Sequence, residues 1–159
     1  MRKVLSSLVI ALMLSWSSAA SADYHLSRGI DAYFAGDVDA AYRVFREPAE
    51  QGDAEAQKWL GSLYNKFIKD YCEAAKWWRL SAEQGNASAQ SGLAYLYSKG
   101  KCVLHDIVTA HMWYNISVAS GGAYHNEFIR DSFAKQMTLT QIAEAQKMAR
   151  EWMEKHQAN

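Results

Sequence analysis

The chain has 159 residues with 17 basic and 17 acidic side chains, 50% hydrophobic residues, one Pro and two Cys. That length fits one domain around one continuous core, and the scarcity of Pro argues against a long linker. A formal charge of zero excludes the basic footprint of an electrostatic nucleic-acid binder.

Arg2 and Lys3 open the chain, an apolar run centred on Leu8 to Leu14 follows, and small residues occupy Ser17 to Ala22. Together these form the three-part pattern of a secretory signal peptide, with Ala20-Ser21-Ala22 as the cleavage sequence. The apolar run is much shorter than the roughly 20 residues needed to cross a bilayer, so residues 1–22 are expected to be removed rather than kept as an anchor. No Cys stands at the junction to carry a lipid. The expectation is a periplasmic or secreted chain, residues 23–159, without a membrane span after cleavage. Cleavage removes Arg2 and Lys3 and no acidic residue, so 17 and 17 become 15 basic and 17 acidic. A balance of −2 still points away from nucleic acid.

The first unit, about residues 24–52, carries Gly29, Ala32, Ala41 and Phe45 at the spacing of a tetratricopeptide-like helix pair, with Gly36-Asp37 as its turn. Its ending, Ala49-Glu50-Gln51-Gly52-Asp53-Ala54-Glu55-Ala56-Gln57, returns 33 positions later as Ala82-Glu83-Gln84-Gly85-Asn86-Ala87-Ser88-Ala89-Gln90. Self-similarity at that period is the signature of stacked helical pairs. In the second unit, about 53–85, Ala56, Leu60, Leu63 and Tyr64 fall on one helical face. Its second helix carries Ala74, Trp77, Trp78 and Ala82. Asp70 with Glu73 marks that helix's start. The third unit, about 86–121, repeats these faces as Ala89, Leu93, Leu96, Tyr97 and Ala110, Trp113, Tyr114, Val118. Three extra residues precede its second helix, which starts at Asp106. Gly52-Asp53 and Gly85-Asn86 each place a helix-ending residue beside a helix-capping one, so successive helices are expected to run antiparallel. Beyond Gly122 the repeat pattern fades. Residues 124–136 read as a helix, and Thr138 with Gln141 opens a last one through Leu139, Ile142, Ala149 and Trp152, so 122–159 is expected to cap the solenoid.

Both cysteines, Cys72 and Cys102, lie in the exported part. In an oxidising compartment they are expected to form one disulfide, two separate buried thiols being the alternative. Their separation matches neither a C-x-x-C redox pair nor a zinc knuckle.

The segments Ala74-Ala75-Lys76-Trp77-Trp78-Arg79-Leu80-Ser81-Ala82-Glu83-Gln84-Gly85 and Leu60-Gly61-Ser62-Leu63-Tyr64 resemble the Sel-one-like repeat (SLR), a relative of the tetratricopeptide repeat. Met137 to Gln146 also resembles the usual close of small exported bacterial members. The resemblance spans nearly all of residues 23–159 and implies an all-α, right-handed solenoid of antiparallel helix pairs that acts as adaptor, regulator or inhibitor in protein complexes. Two departures bear on loop geometry: the Gly-x-Gly-Val turn usual in the family is missing after Tyr64, and Cys102-Val103 stands where Gly-Val is typical.

Catalytic motifs are sparse. Ser132-Phe133-Ala134-Lys135 matches the S-x-x-K of penicillin-recognising enzymes, but the accompanying S-D-N and K-T-G elements are absent. His25, His105, His111, His125 and His156 show no ligand spacing, so no metal or cofactor is expected; His111 reads as a partly buried structural residue. Trp77, Trp78 and Trp113 recur at equivalent positions and read as core. The sequence therefore points to a non-enzymatic scaffold binding another protein or a cell-envelope component. The alternatives are a dedicated periplasmic inhibitor or immunity protein and, further off, an envelope-acting hydrolase of β-lactamase-like type. In the family, first helices line the concave side. That makes Glu55, Trp59 and Ser62 on one stripe, with Ser88, Gly92 and Tyr95 on the next, the expected partner-binding residues. A pocket is expected where small Gly92 lies beside bulky Trp59, with packing between helices as the other reading of Trp59.

Overall fold

The computed structural model describes residues 25–122 and 124–157, and every regular element among them is a helix. The helices are α1 (25–35), α2 (Val38–Glu50), α3 (Ala54–Leu63), α4 (Tyr71–Glu83), α5 (Ala87–Lys99), α6 (Ile107–Ala119), α7 (Tyr124–Ala134) and α8 (Leu139–Gln157). Consecutive helices pack on one another from α2 to α7, and α8 packs back on α6. The result is a stack of helix pairs. The proposed signal peptide lies outside the described residues.

The starts of α2 to α6 are fixed by a short side chain that accepts the free N–H groups of the first turn. Asp37 serves Ala40, Asp53 serves Ala56, Asp70 serves Cys72 and Glu73, Asn86 serves Ala89, and Asp106 serves Val108 and Thr109. Thr138 and Gln141 form a reciprocal box at α8: the Gln141 N–H donates to Thr138 Oγ1 at 3.2 Å and the Thr138 N–H to Gln141 Oε1 at 2.9 Å. The aligned Gly52, Gly85 and Gly121 turn the chain at φ of 99°, 88° and 80°. A side chain there would be strained, so these three positions set the pitch of the stack.

Close approach of the helices rests on one repeated alanine. Ala41, Ala74 and Ala110 are completely buried, and Ala145 takes the same place in α8. Helices α7 and α8 both pack on α6 and so cover its face. Leu139, expected on that covered face, is 86% exposed instead. Leu139 is the first residue of the 19-residue α8. Ala145, Ala149, Met148, Trp152 and Met153 make the contact.

Polar groups inside the stack repeat as faithfully as the apolar ones. The Gln57 side-chain amide donates to the Ala49 carbonyl at 3.1 Å, and Gln90 does the same to Ala82 at 3.2 Å. The Ser81 hydroxyl donates to Ala54 and the Ser117 hydroxyl to Ala87, at 2.6 and 2.7 Å. These bonds engage carbonyls near helix ends and turns that would otherwise be costly to bury.

Where the family turn is missing after Tyr64, α3 continues as a wider π-helical turn, Tyr64–Ile68, that ends on Lys69 at φ 64°. Cys102 likewise adopts φ 60° in the family's glycine position. It is held there by a disulfide to Cys72, with a Cα–Cα distance of 5.1 Å, a separation inside the range that a bridge requires. The expected pairing is present.

Candidate functional site

A groove of about 340 Å³ lies between the first helices of successive pairs. Its floor is Gly92 with the rings of Trp78 and Tyr114; Asn65, Ser88, Ser91 and Tyr95 form one wall, and Asn126 and Ile129 of α7 the other. Three of the six expected residues, Ser88, Gly92 and Tyr95, are therefore brought together. Ser88 is exposed, and Gly92 and Tyr95 are half-buried.

The other three are engaged elsewhere. Trp59 stacks on Phe45 with ring centres 6.0 Å apart and meets Tyr33 and Phe34 edge-on. Its indole N–H donates to Glu55 at 2.9 Å. Glu55 also holds Lys58 at 2.6 Å and accepts from the Asn86 side chain at 3.1 Å, which ties the second unit to the cap of the third. Lys58 sits 3.6 Å above the Trp59 ring, and its pKa is lowered by burial, partly offset by Glu55. The Ser62 hydroxyl donates to the Lys58 carbonyl. None of these three lines the groove.

The size relationship expected between Trp59 and Gly92 operates through the second helices instead. Position 45 holds Phe, and Trp59 stacks over it; position 78 holds the larger Trp, and the residue over it is Gly92. A Cβ on Gly92 would stand 2.6 Å from Cδ2 of Trp78, and one on Gly61 would stand 2.5 Å from Cδ1 of the same ring. The space left by Gly92 is thus largely filled by indole, and the open volume lies beside it, toward α7.

The groove wall is uncharged. The Tyr95 hydroxyl accepts from Lys101 at 3.0 Å, and Lys101 also lies 4.1 Å above the Tyr71 ring, next to the disulfide. Burial pushes the Tyr114 phenol up to about 12, with the neighbouring Tyr95 adding to the shift. The Asn126 amide donates to Ser117 at 2.9 Å, while the buried Asn65 Oδ1 has no hydrogen-bond partner. The arrangement offers hydroxyls, amides and ring edges to a ligand, with no nucleophile paired to a base. Ser132 and Lys135 are both exposed at the end of α7. Sequence reasoning did not single out Asn65, Ser91 or Asn126. Ser91 follows Ser88 by one helical turn and was accessible from periodicity, whereas Asn126 depends on how α7 packs, which no repeat pattern announces.

Trp77, Trp78 and Trp113 are buried, as their recurrence implied. His111 is buried as well, more completely than expected. Its Nδ1 lies 3.0 Å from the Asn115 amide. Burial lowers its pKa, and nearby Arg130 adds to that effect.

No family model and no curated protein matches the sequence. Among solved structures, the chain is similar to the crystal structure of a protective antigen present in uropathogenic Escherichia coli strains, which displays an SLR fold. The TM-score is 0.79 at 27% sequence identity, covering 88% of this chain and 31% of that one. This chain thus spans about a third of the length of that protein. The alanine-centred pairs, the repeated Gln and Ser bonds and this similarity agree on an SLR-like fold, an all-α solenoid of helix pairs.

Proposed function

We propose that the protein is an exported, periplasmic adaptor or regulator that captures a partner protein in the groove between α3, α5 and α7. The observation that carries this reading is the groove itself, which runs across consecutive first helices and sets the polar side chains of Asn65, Ser88, Ser91 and Asn126 around half-buried Tyr95. An amphipathic aromatic in a concave site is a common anchor of binding energy. Two features support export: the signal-peptide pattern of residues 1–22 and the Cys72–Cys102 disulfide, a bond that persists in oxidising compartments. The SLR-fold neighbour is described as a protective antigen, and a surface or exported setting fits that description.

A dedicated inhibitor or immunity protein would use the same groove. The test is affinity capture from the native periplasm with residues 23–159 as bait, beside Tyr95→Ala and a Ser88→Arg variant that obstructs the wall. A partner retained by the parent and lost by both variants supports the reading. Equal capture by all three places the partner on another surface.

A further inference from the structure

Most of the large apolar side chains exposed among the described residues stand at alternate helix connections. Phe34 is 70% exposed in the last turn of α1, and Ile68 is 44% exposed where the π-helical turn ends. Leu104, 90% exposed, lies between α5 and α6, and the exposed Leu139 opens α8. One exposed Leu means little, but recurrence at every second connection marks a surface. Consecutive helices joined by short connections alternate in direction, so these connections share one edge of the stack. The Tyr33 and Phe67 rings, 5.3 Å apart, tie the first of them to the second, and the Cys72–Cys102 bridge ties the second to the third. Helix α7 runs back along α6, with Asn126 bonded to Ser117 and Phe133 stacked on Tyr114. That returns the fourth connection to the same edge.

Charge separates the two edges. Lys66, Lys69, Lys99, Lys101 and Lys135 stand on or beside these connections, and none of them forms an ion pair among the described residues. Lys66 lies 4.9 and 4.7 Å from the Tyr33 and Phe67 ring centres. Such a contact holds an ammonium group beside apolar surface without neutralising it. The carboxylates of Asp37, Asp70 and Asp106 on this edge are turned to the first N–H groups of α2, α4 and α6. Asp31 and Asp39 lie near the first connection, so the positive side is centred on the other three. The opposite connections, 50–54, 83–87 and 119–122, carry Glu50, Asp53 and Glu83 and no Lys or Arg.

We propose that this edge rests on the surface of a bilayer containing anionic lipid, with Phe34, Ile68, Leu104 and Leu139 among the headgroups and the lysines at the phosphates. Apolar tips set between unpaired lysines suit the boundary between headgroups and acyl chains. A fluid bilayer meets four separated side chains without needing a rigid matching surface. No helix among the described residues is long and apolar enough to cross a membrane, so the contact is peripheral. The edge residues named here do not line the groove, which makes lipid contact and partner capture separate properties.

The test is co-sedimentation of residues 23–159, free of the apolar run of residues 1–22, with vesicles of phosphatidylglycerol and phosphatidylcholine in equal parts, beside vesicles of phosphatidylcholine alone. Partition into the anionic vesicles should be at least about tenfold stronger and should fall as salt is raised. Lys66→Gln with Lys69→Gln should weaken it by about tenfold or more, and Leu104→Ser with Leu139→Ser by about tenfold. All four residues are exposed, so melting temperatures should stay at the parent value. Lys147→Gln, on the side of α8 and paired with Glu151, should change partition by less than about twofold. Tyr95→Ala should leave it intact, which separates a failure here from a failure of the groove reading. No partition into anionic vesicles, or parental binding by the Leu104→Ser, Leu139→Ser protein, overturns the proposal. A loss as large in Lys147→Gln as in the paired lysine variant also overturns it, by reducing the effect to net charge. Capture of an acidic protein that the paired lysine variant loses, without vesicle binding by the parent, overturns it in favour of a protein docking surface.

Discussion

Trp78 and Gly92 form one packing unit across a repeat boundary: three ring atoms of the indole lie 2.6–2.8 Å from where a Cβ on Gly92 would stand. Adding that methyl group forces a ring already fixed by a 3.2 Å bond from its N–H to the Lys58 carbonyl. Gly92→Ala should therefore destabilise the protein by about 1–3 kcal/mol, the usual cost of overpacking, despite the better helix propensity of Ala. Urea denaturation measures it; a stability equal to the parent would mean that the indole moves freely.

Trp59 and Tyr95 should separate into a packing residue and a groove residue. Trp59→Ala removes a stacked, half-buried ring from the cluster of Tyr33, Phe34 and Phe45 and should cost about 2–3 kcal/mol, somewhat below the 3–5 kcal/mol of a fully buried aromatic. Tyr95→Phe removes only the bond from Lys101 and should change stability by less than about 1 kcal/mol. Chemical denaturation of both variants decides this, and the opposite ranking would return Trp59 to the binding face.

Removing the Cys72–Cys102 bridge by paired Ser substitutions should lower stability by about 3–4 kcal/mol, because the bridge closes a 30-residue loop in the unfolded chain. Calorimetry of oxidised and doubly substituted protein tests this; melting temperatures within one degree of each other would refute it.

Acid should weaken the fold through His111. Its folded-state pKa lies below its ordinary value, so the unfolded chain takes up the proton first as pH falls. Stability is therefore lost as pH drops below about 6.5, the unfolded value, and the loss stops growing below the depressed folded value. His111→Gln should flatten the change in melting temperature between pH 7 and pH 5. An identical slope in parent and variant would exclude His111 as its source.

Much of the fold was legible because repetition makes local signals reinforce each other. Ala41, Ala74 and Ala110 at one register, Gly52, Gly85 and Gly121 at another, and short polar caps between them leave a helix pair as the only structure that satisfies all three copies. The Cys72–Cys102 pairing followed from compartment and count. Legibility ended at residue 122. There Ala145 packs against α6, but the surrounding aromatics are replaced, so residues 122–159 were expected only as a cap, with Leu139 on its covered face.

The sequence by itself determined which residues are helical, which faces are apolar and how often the unit repeats, since these depend on neighbours within a few turns of the same chain. The tertiary structure alone decided which of the stripe residues are open. Trp59 and Gly92 occupy equivalent positions, yet one ring is absorbed by Phe45 and the other position lies beneath Trp78; the difference is set by the volume that the preceding second helix presents. The same holds for Gln57 and Gln90, identical in sequence and in their first hydrogen bond. One is completed by Gln84 and the other has no partner for its Oε1, because a buried acceptor is satisfied or orphaned by a distant side chain that packing alone brings near.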